Sequence, residues 1–220
     1  MIYPRTREAV FLARPNRFVA EVELAGKRET VHVKNTGRCR ELLLPGARVI
    51  LAAGEGSRRK TAWDLITVMK PGLGWVNIDS QAPNRVVREW LDRGGIPGLT
   101  AVRPEYAWGA SRMDFCLERE ERRILLEVKG CTLERGGVGW FPDAPTLRGT
   151  KHLRELASAR KAGWDCILAF VIALPGVREV LPNRETDPGF ADALAEAEAA
   201  GVEVLQLPCA VGPDSLEILD

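Results

Sequence analysis

The chain has 220 residues, 45% of them apolar, which is enough to bury a core in one large or two small domains. It carries no run of ~18 apolar residues to span a bilayer and no apolar segment behind a basic N-terminus, so a soluble, intracellular protein is expected. Its net charge of +1 hides a division: residues 1–80 hold 14 Lys or Arg against 8 Asp or Glu, and residues 81–220 hold 17 against 22. The basic part is a mild hint of a polyanion partner and the acidic part suits a metal site, with chance as the alternative for both.

In chain order, residues 17–24 alternate, with Phe18, Ala20, Val22 and Leu24 on one face, and Ala25-Gly26-Lys27 turns the chain into a second strand at 29–33. Three more strands are predicted at 48–52, 64–69 and 75–78. Five short strands with glycine-rich turns in ~80 residues predict a small closed barrel of the OB-like kind. Arg38 and Arg40 follow the Asn35-Thr36-Gly37 turn, and Arg58, Arg59 and Lys60 form a basic loop near Trp63. These cations are candidate phosphate contacts. The alternative is a solvated loop, with Trp63 and Trp75 as core aromatics.

The barrel is expected to end near residue 80, dividing the chain into 1–80 and 81–220. Asn84 reads as the N-cap of a helix over 85–93 that Gly94-Gly95 stops. Ser111–Leu117 and Arg123–Gly130 then alternate with a period of two, and Glu118–Arg122 reads as a five-residue hairpin loop. Antiparallel pairing would bring Asp114 close to Glu127, with Lys129 on the same side. A hard divalent cation, Mg²⁺ or Mn²⁺, is commonly held by one or two carboxylates. Asp114 and Glu127 supply the pair, the backbone carbonyl of Val128 a further oxygen, and Lys129 a cation to serve an attacking water or a developing phosphate charge. The bland alternative is a surface hairpin with a cross-strand salt bridge. Glu89 and Glu105 are candidate accessory acids. The favoured reading of Glu89 is an exposed helical residue paired with Arg85 or Arg93.

The glycine-rich stretch 136–142 lacks Walker spacing, so a nucleotide cofactor is not expected. Thr146 is predicted to cap a helix reaching Ala162, whose first turns carry Arg148, Lys151 and His152 as candidate phosphate contacts or as a solvated face. Cys166–Leu174 reads as a central buried strand. Asp187 caps and Pro188 opens a last helix, followed by a strand at 202–207. The order predicts an α/β domain with a mixed sheet. Five cysteines, Cys39, Cys116, Cys131, Cys166 and Cys209, are odd in number and never in Cys-x-x-Cys spacing, which predicts reduced thiols and a cytoplasmic location.

Ser111-Arg112-Met113-Asp114-Phe115 followed by Glu127-Val128-Lys129-Gly130 resembles the signature of the PD-(D/E)XK nuclease superfamily. More narrowly, the chain resembles the sugar fermentation stimulation protein family, SfsA, through Asn35-Thr36-Gly37, Leu44-Pro45-Gly46, Pro83-Asn84-Arg85, Phe141-Pro142-Asp143-Ala144, Arg148-Gly149-x-Lys151-His152-Leu153 and Asp187-Pro188. The resemblance implies an N-terminal OB-like barrel, a PD-(D/E)XK nuclease-like α/β domain with a mixed central sheet, and sequence-nonspecific DNA binding. It carries the roles of metal ligand to Asp114 and Glu127 and of catalytic lysine to Lys129. Met113 stands where the superfamily has proline. Two functions remain open, a metal-dependent deoxyribonuclease and a DNA-binding regulator of sugar metabolism without turnover, as does the oligomeric state, a homo-oligomer included.

Overall fold

The structure, a computed structural model, describes residues 1–35, 37–54 and 59–219. Thr36 and Arg58, both singled out above, lie outside the described residues.

Six strands form the N-terminal sheet: β1 (Thr6–Asn16), β2 (Val19–Leu24), β3 (Lys27–Val33), β4 (Arg48–Ala53), β5 (Trp63–Lys70) and β6 (Gly74–Asn77). Their order is β3-β2-β1-β4-β5-β6, and a parallel contact of β3 with β5 at His32↔Asp64 and Val33↔Leu65 closes the OB barrel. Alternation places Ala20, Val22, Val31, Val33, Leu51 and Leu65 inside. Strand β1 is missing from the sequence reading because register shifts after Phe11 and Ala13 break its two-residue period. Phe18, expected to face inward, is 45% exposed, lying in the turn before β2 where its N–H bonds Asn16 Oδ1 at 2.9 Å.

Helix α1 spans Ala82–Asp92. It begins earlier than predicted because Pro83, whose fixed φ suits a first helical turn, starts it. Asn84 is therefore inside the helix and does not cap it. After it come β7 (Ala101–Trp108), β8 (Ser111–Arg119), β9 (Arg122–Cys131), β10 (Leu133–Arg135), β11 (Val138–Phe141) and α2 (Leu147–Lys161). The chain ends with β12 (Asp165–Ile172), β13 (Val180–Pro182), α3 (Pro188–Ala199), β14 (Glu203–Val211) and β15 (Leu216–Ile218). The main sheet has the order β15-β14-β12-β9-β8-β7. Strands β9, β12 and β14 run parallel and the rest antiparallel, so the sheet is mixed, as expected. Helix α2 packs on one side with α3 against it, and α1 packs near β9 and β15.

The β8–β9 loop is shorter than predicted. Arg119 pairs with Arg122, leaving Glu120 and Glu121 as a two-residue turn, with Glu120 at a φ of 53°. The flanking charged residues extend the strands, since their side chains reach water while their backbone continues to pair.

Thr146 and Asp187 cap as predicted: Thr146 Oγ1 accepts from Gly149 N at 3.0 Å, and Asp187 Oδ1 accepts from Phe190 N at 2.9 Å. The barrel and the α/β unit share their apolar interior. One buried cluster joins Ala9, Val33 and Val49 to Met113, Leu153 and Phe170; another joins Ile50 and Ile66 to Val87, Phe115 and Val171. The first residues also leave the barrel, Tyr3 N donating to Asp214 O at 2.8 Å. Among the described residues, no helix is long and apolar enough to cross a membrane.

Candidate active site

Strands β8 and β9 part where the sequence places its acids. The ladder runs from Arg119↔Arg122 to Phe115↔Leu126 and stops. The next residues in register are Asp114 and Glu127. There a side chain replaces the ladder: Asp114 Oδ2 accepts the Val128 N–H at 2.8 Å, and Oδ1 accepts from the Asn84 amide at 2.7 Å. The alternation expected over Met113–Leu117 breaks at this point. Phe115 and Leu117 share the α1 cluster, whereas Met113 joins the residues beneath α2. In an extended strand a residue's N–H and C=O point the same way, so the Val128 carbonyl also faces the gap.

Glu127 is 2% exposed. Its Oε1 accepts from Lys129 Nζ and from His152 Nδ1. Its Oε2 is buried and has no hydrogen-bond partner among the described residues. Burial alone would push the Glu127 carboxyl up, but the His152 bond and the Lys129 charge more than offset it and hold it below the usual value. Asp114 is shifted upward, first by burial and then by the Glu127 charge, against the opposing Val128, Lys129 and Asn84 contributions. Two neighbouring carboxylates, one raised by the charge of the other and the other with a buried oxygen that has no partner among the described residues, are a fitting set for a hard cation. Asp114, Glu127 and the Val128 carbonyl are the protein oxygens suited to Mg²⁺ or Mn²⁺ there.

Among the described residues no group of three or more His, Cys, Asp or Glu gathers as a metal cluster, and the two accessory acids do not join the pair. The Glu89 carboxylate pairs with the N-terminal amine of Met1 at 2.7 Å. Glu105, level with Asp114 in the β7–β8 register, has a φ of 54° and an exposed carboxylate 3.6 Å from Arg112. Each already pairs with a cation of its own, so neither is drawn in.

The candidate phosphate contacts divide. Arg148 is exposed, its Nε donating to His152 Nε2 over a long 3.4 Å. Lys151 is half-exposed, its Nζ on Ala110 O at 3.1 Å. His152 does not belong with them: at 3% exposure it faces into the sheet and holds Glu127, because α2 turns that position toward β8 and β9. Arg59 is likewise engaged, its terminal nitrogens bonding both carboxylate oxygens of Asp64 and its Nε the Thr61 carbonyl at 3.3 Å. Arg38, Arg40 and Lys60 are exposed. Trp63 packs in part against the barrel core, and Trp75 lies under the Arg48 guanidinium at 5.3 Å.

At Gly130, the residue after Lys129, a cleft of about 540 Å³ opens between the barrel and the α/β unit. Arg14 shapes its barrel wall, bonding the carbonyls of Asn35, Gly37 and Arg38 at 2.7, 2.9 and 2.9 Å. From the other side Asp143 Oδ2 accepts the Arg38 N–H at 3.1 Å. A Cβ at Gly37 would run into that carboxylate, and one at Gly130 would lie 2.6 Å from Pro83 Cγ. The roles of Asn84, Arg14 and Asp143 escaped the sequence reading. Asn84 and Asp143 stood in the stretches that carry the family resemblance, but a polar residue in a turn or first helical turn has no periodicity to reveal its target.

A closed five-stranded OB barrel leads into an α/β unit with a mixed sheet, where two acids and a lysine stand at the split of a strand pair. Residues 12–78 match the family model described as the SfsA N-terminal OB domain, and residues 81–215 match that of the sugar fermentation stimulation protein RE domain. A sugar fermentation stimulation protein homolog of Desulfitobacterium hafniense is 50% identical over 220 residues, covering 100% of this chain and 96% of the relative. One from Ruminiclostridium cellulolyticum is 44% identical over 219 residues, covering 99% and 96%. Among solved structures, Pyrococcus furiosus SfsA in complex with Ca²⁺ superposes with a TM-score of 0.91 at 29% identity, covering 100% of this chain and 94% of that one. The chain belongs to the SfsA family.

Proposed function

We propose that the protein binds DNA and hydrolyses its phosphodiester bonds with Mg²⁺ or Mn²⁺. The observation that carries this reading is the buried Glu127 Oε2, without a hydrogen-bond partner among the described residues, with Asp114 and Lys129 at the split between β8 and β9. The Ca²⁺ in the complex of the Pyrococcus furiosus relative supports a cation in this family. In this reading Asp114, Glu127 and the Val128 carbonyl hold the cation, which when bound supplies Lewis-acid polarisation of the phosphate and a more acidic water. Lys129 orients the attacking water and offsets charge on the phosphorus-bound oxygens as they become more negative. Arg148 and Lys151 hold the flanking phosphate. Asn84 and His152 fix the two carboxylates in place, and the exposed Arg38 and Arg40 contribute sequence-independent attraction.

One observation favours a second reading, a DNA-binding protein without turnover. Both Asp114 oxygens and Glu127 Oε1 already accept hydrogen bonds from the protein, so most of the pair is satisfied without a cation. The two readings separate in one assay. Single- and double-stranded DNA is incubated with wild type and Glu127→Gln in Mn²⁺, Mg²⁺ or EDTA. Hydrolysis predicts product only with metal and a loss of ~10²-fold or more in Glu127→Gln with affinity retained. Salt-sensitive binding with no metal-dependent product would leave the binding protein.

A further inference from the structure

Three of the stretches that carry the family resemblance meet at the cleft between the two domains. Asn35 and Gly37 come from the barrel, Pro83 from the start of α1, and Phe141, Pro142 and Asp143 from the loop before α2. The cleft adjoins the acids by chain continuity at two points. Gly130 follows Lys129, and Pro83 precedes Asn84, the residue that holds Asp114. Its mouth carries Arg17 and Arg38, whose guanidinium groups form no ion pair among the described residues, and both also border a shallower hollow that extends to Arg40. Its walls are flat and apolar at Phe141, Pro83 and Pro142. Thr132 and the Oδ1 of Asp143, neither engaged in a side-chain hydrogen bond among the described residues, stand inside.

We infer that this cleft seats one unstacked nucleotide unit of a single-stranded segment, and that the substrate strand therefore reaches the acids unpaired. The inference rests on the phosphodiester reading for its substrate class and goes beyond it in assigning strandedness and a second contact site. At about 540 Å³ the cleft lies within the size range of small-ligand pockets, so it takes a nucleoside with its phosphate. A base pair held within a stacked duplex cannot enter it. Cations at the rim meet the phosphates, and the apolar walls meet the π-face of a base, the two elements by which proteins bind single strands. Asp143, which as a carboxylate only accepts hydrogen bonds, favours a base edge that presents N–H groups.

The test measures fluorescence anisotropy of labelled DNA in EDTA, where no metal-dependent cleavage occurs, for a short single strand and for the blunt duplex of the same sequence. Wild type is expected to bind the single strand ~10-fold more tightly. Thr132→Trp and Ala144→Phe, which fill the cleft from two different sides, should each bring single-strand affinity down to the duplex level and leave duplex affinity within about twofold. Melting curves identify whichever filled variant folds, and Arg38→Ala, which adds no bulk, should weaken single-strand binding as well. Equal or tighter binding of duplex, or unchanged single-strand affinity in a folded, filled variant, overturns the inference. Its failure is distinct from that of the hydrolase reading. Mn²⁺-dependent cutting of duplex alone would sink the cleft assignment and keep the hydrolase, whereas cleft-dependent single-strand binding without product would do the reverse.

Discussion

Gly130 lies against Pro83 so closely that a methyl group there would sit 2.6 Å from the proline Cγ. Neither neighbour can yield easily, since one belongs to a sheet strand and the other to the rigid first turn of α1. Gly130→Ala is expected to cost about 1–3 kcal/mol in denaturant unfolding, the usual range for overpacking. Because the displaced turn also carries Asn84, metal-dependent activity should fall as well. His152 gives a second residue-scale prediction. Its Nδ1–H holds Glu127 Oε1, so His152→Leu leaves a buried carboxylate with one donor fewer and should destabilise by about 1–3 kcal/mol. His152→Asn, which keeps an N–H at about the same reach, should recover part of that loss, and equal melting of the two variants would count against the positioning role.

At the scale of elements, the two helices of the α/β layer are tied by one carboxylate. Asp187 Oδ1 caps α3 on Phe190 N, and its Oδ2 accepts from Thr146 N at 2.7 Å, the residue that caps α2. Thr146→Ala removes one cap and is expected to cost about 1 kcal/mol. Asp187→Ala removes a cap and a link, and should cost about 2 kcal/mol. Chemical denaturation of the two variants compares them directly. Both caps were legible in the sequence because Thr146 and Asp187 stand just before an apolar-periodic run. The hairpin was legible too, since half-buried strands alternate. Strand β7 was not, because Pro104 and the irregular Glu105 interrupt it, features that an edge strand tolerates. Asn84 and His152 were misread for one reason: burial of a polar helical residue is decided by what the helix packs against, which local spacing does not encode.

The whole molecule keeps all five of its thiols buried. Desolvation foremost pushes Cys39, Cys131, Cys166 and Cys209 up from 9.0 to about 12. The native protein should therefore resist a thiol-specific colorimetric reagent at pH 8 and release five equivalents in guanidinium. The same shifts fix the sign of alkaline behaviour. A folded-state value above the unfolded one contributes stability that is fully present below pH 9.0 and lost as pH rises toward about 12. Melting temperature should therefore fall across that window. Domain order and sheet type were readable from composition and periodicity, but the shared core and the cleft were not, because they are made where distant segments meet.

The central claim is that Asp114, Glu127 and the Val128 carbonyl form a cation site, with Lys129 beside it. Anomalous diffraction from crystals soaked in MnCl₂ tests it most directly. The expected result is a manganese peak bounded by those three groups in wild type and absent in Glu127→Gln. A map with no peak there, or one whose peak persists unchanged in the variant, would contradict it.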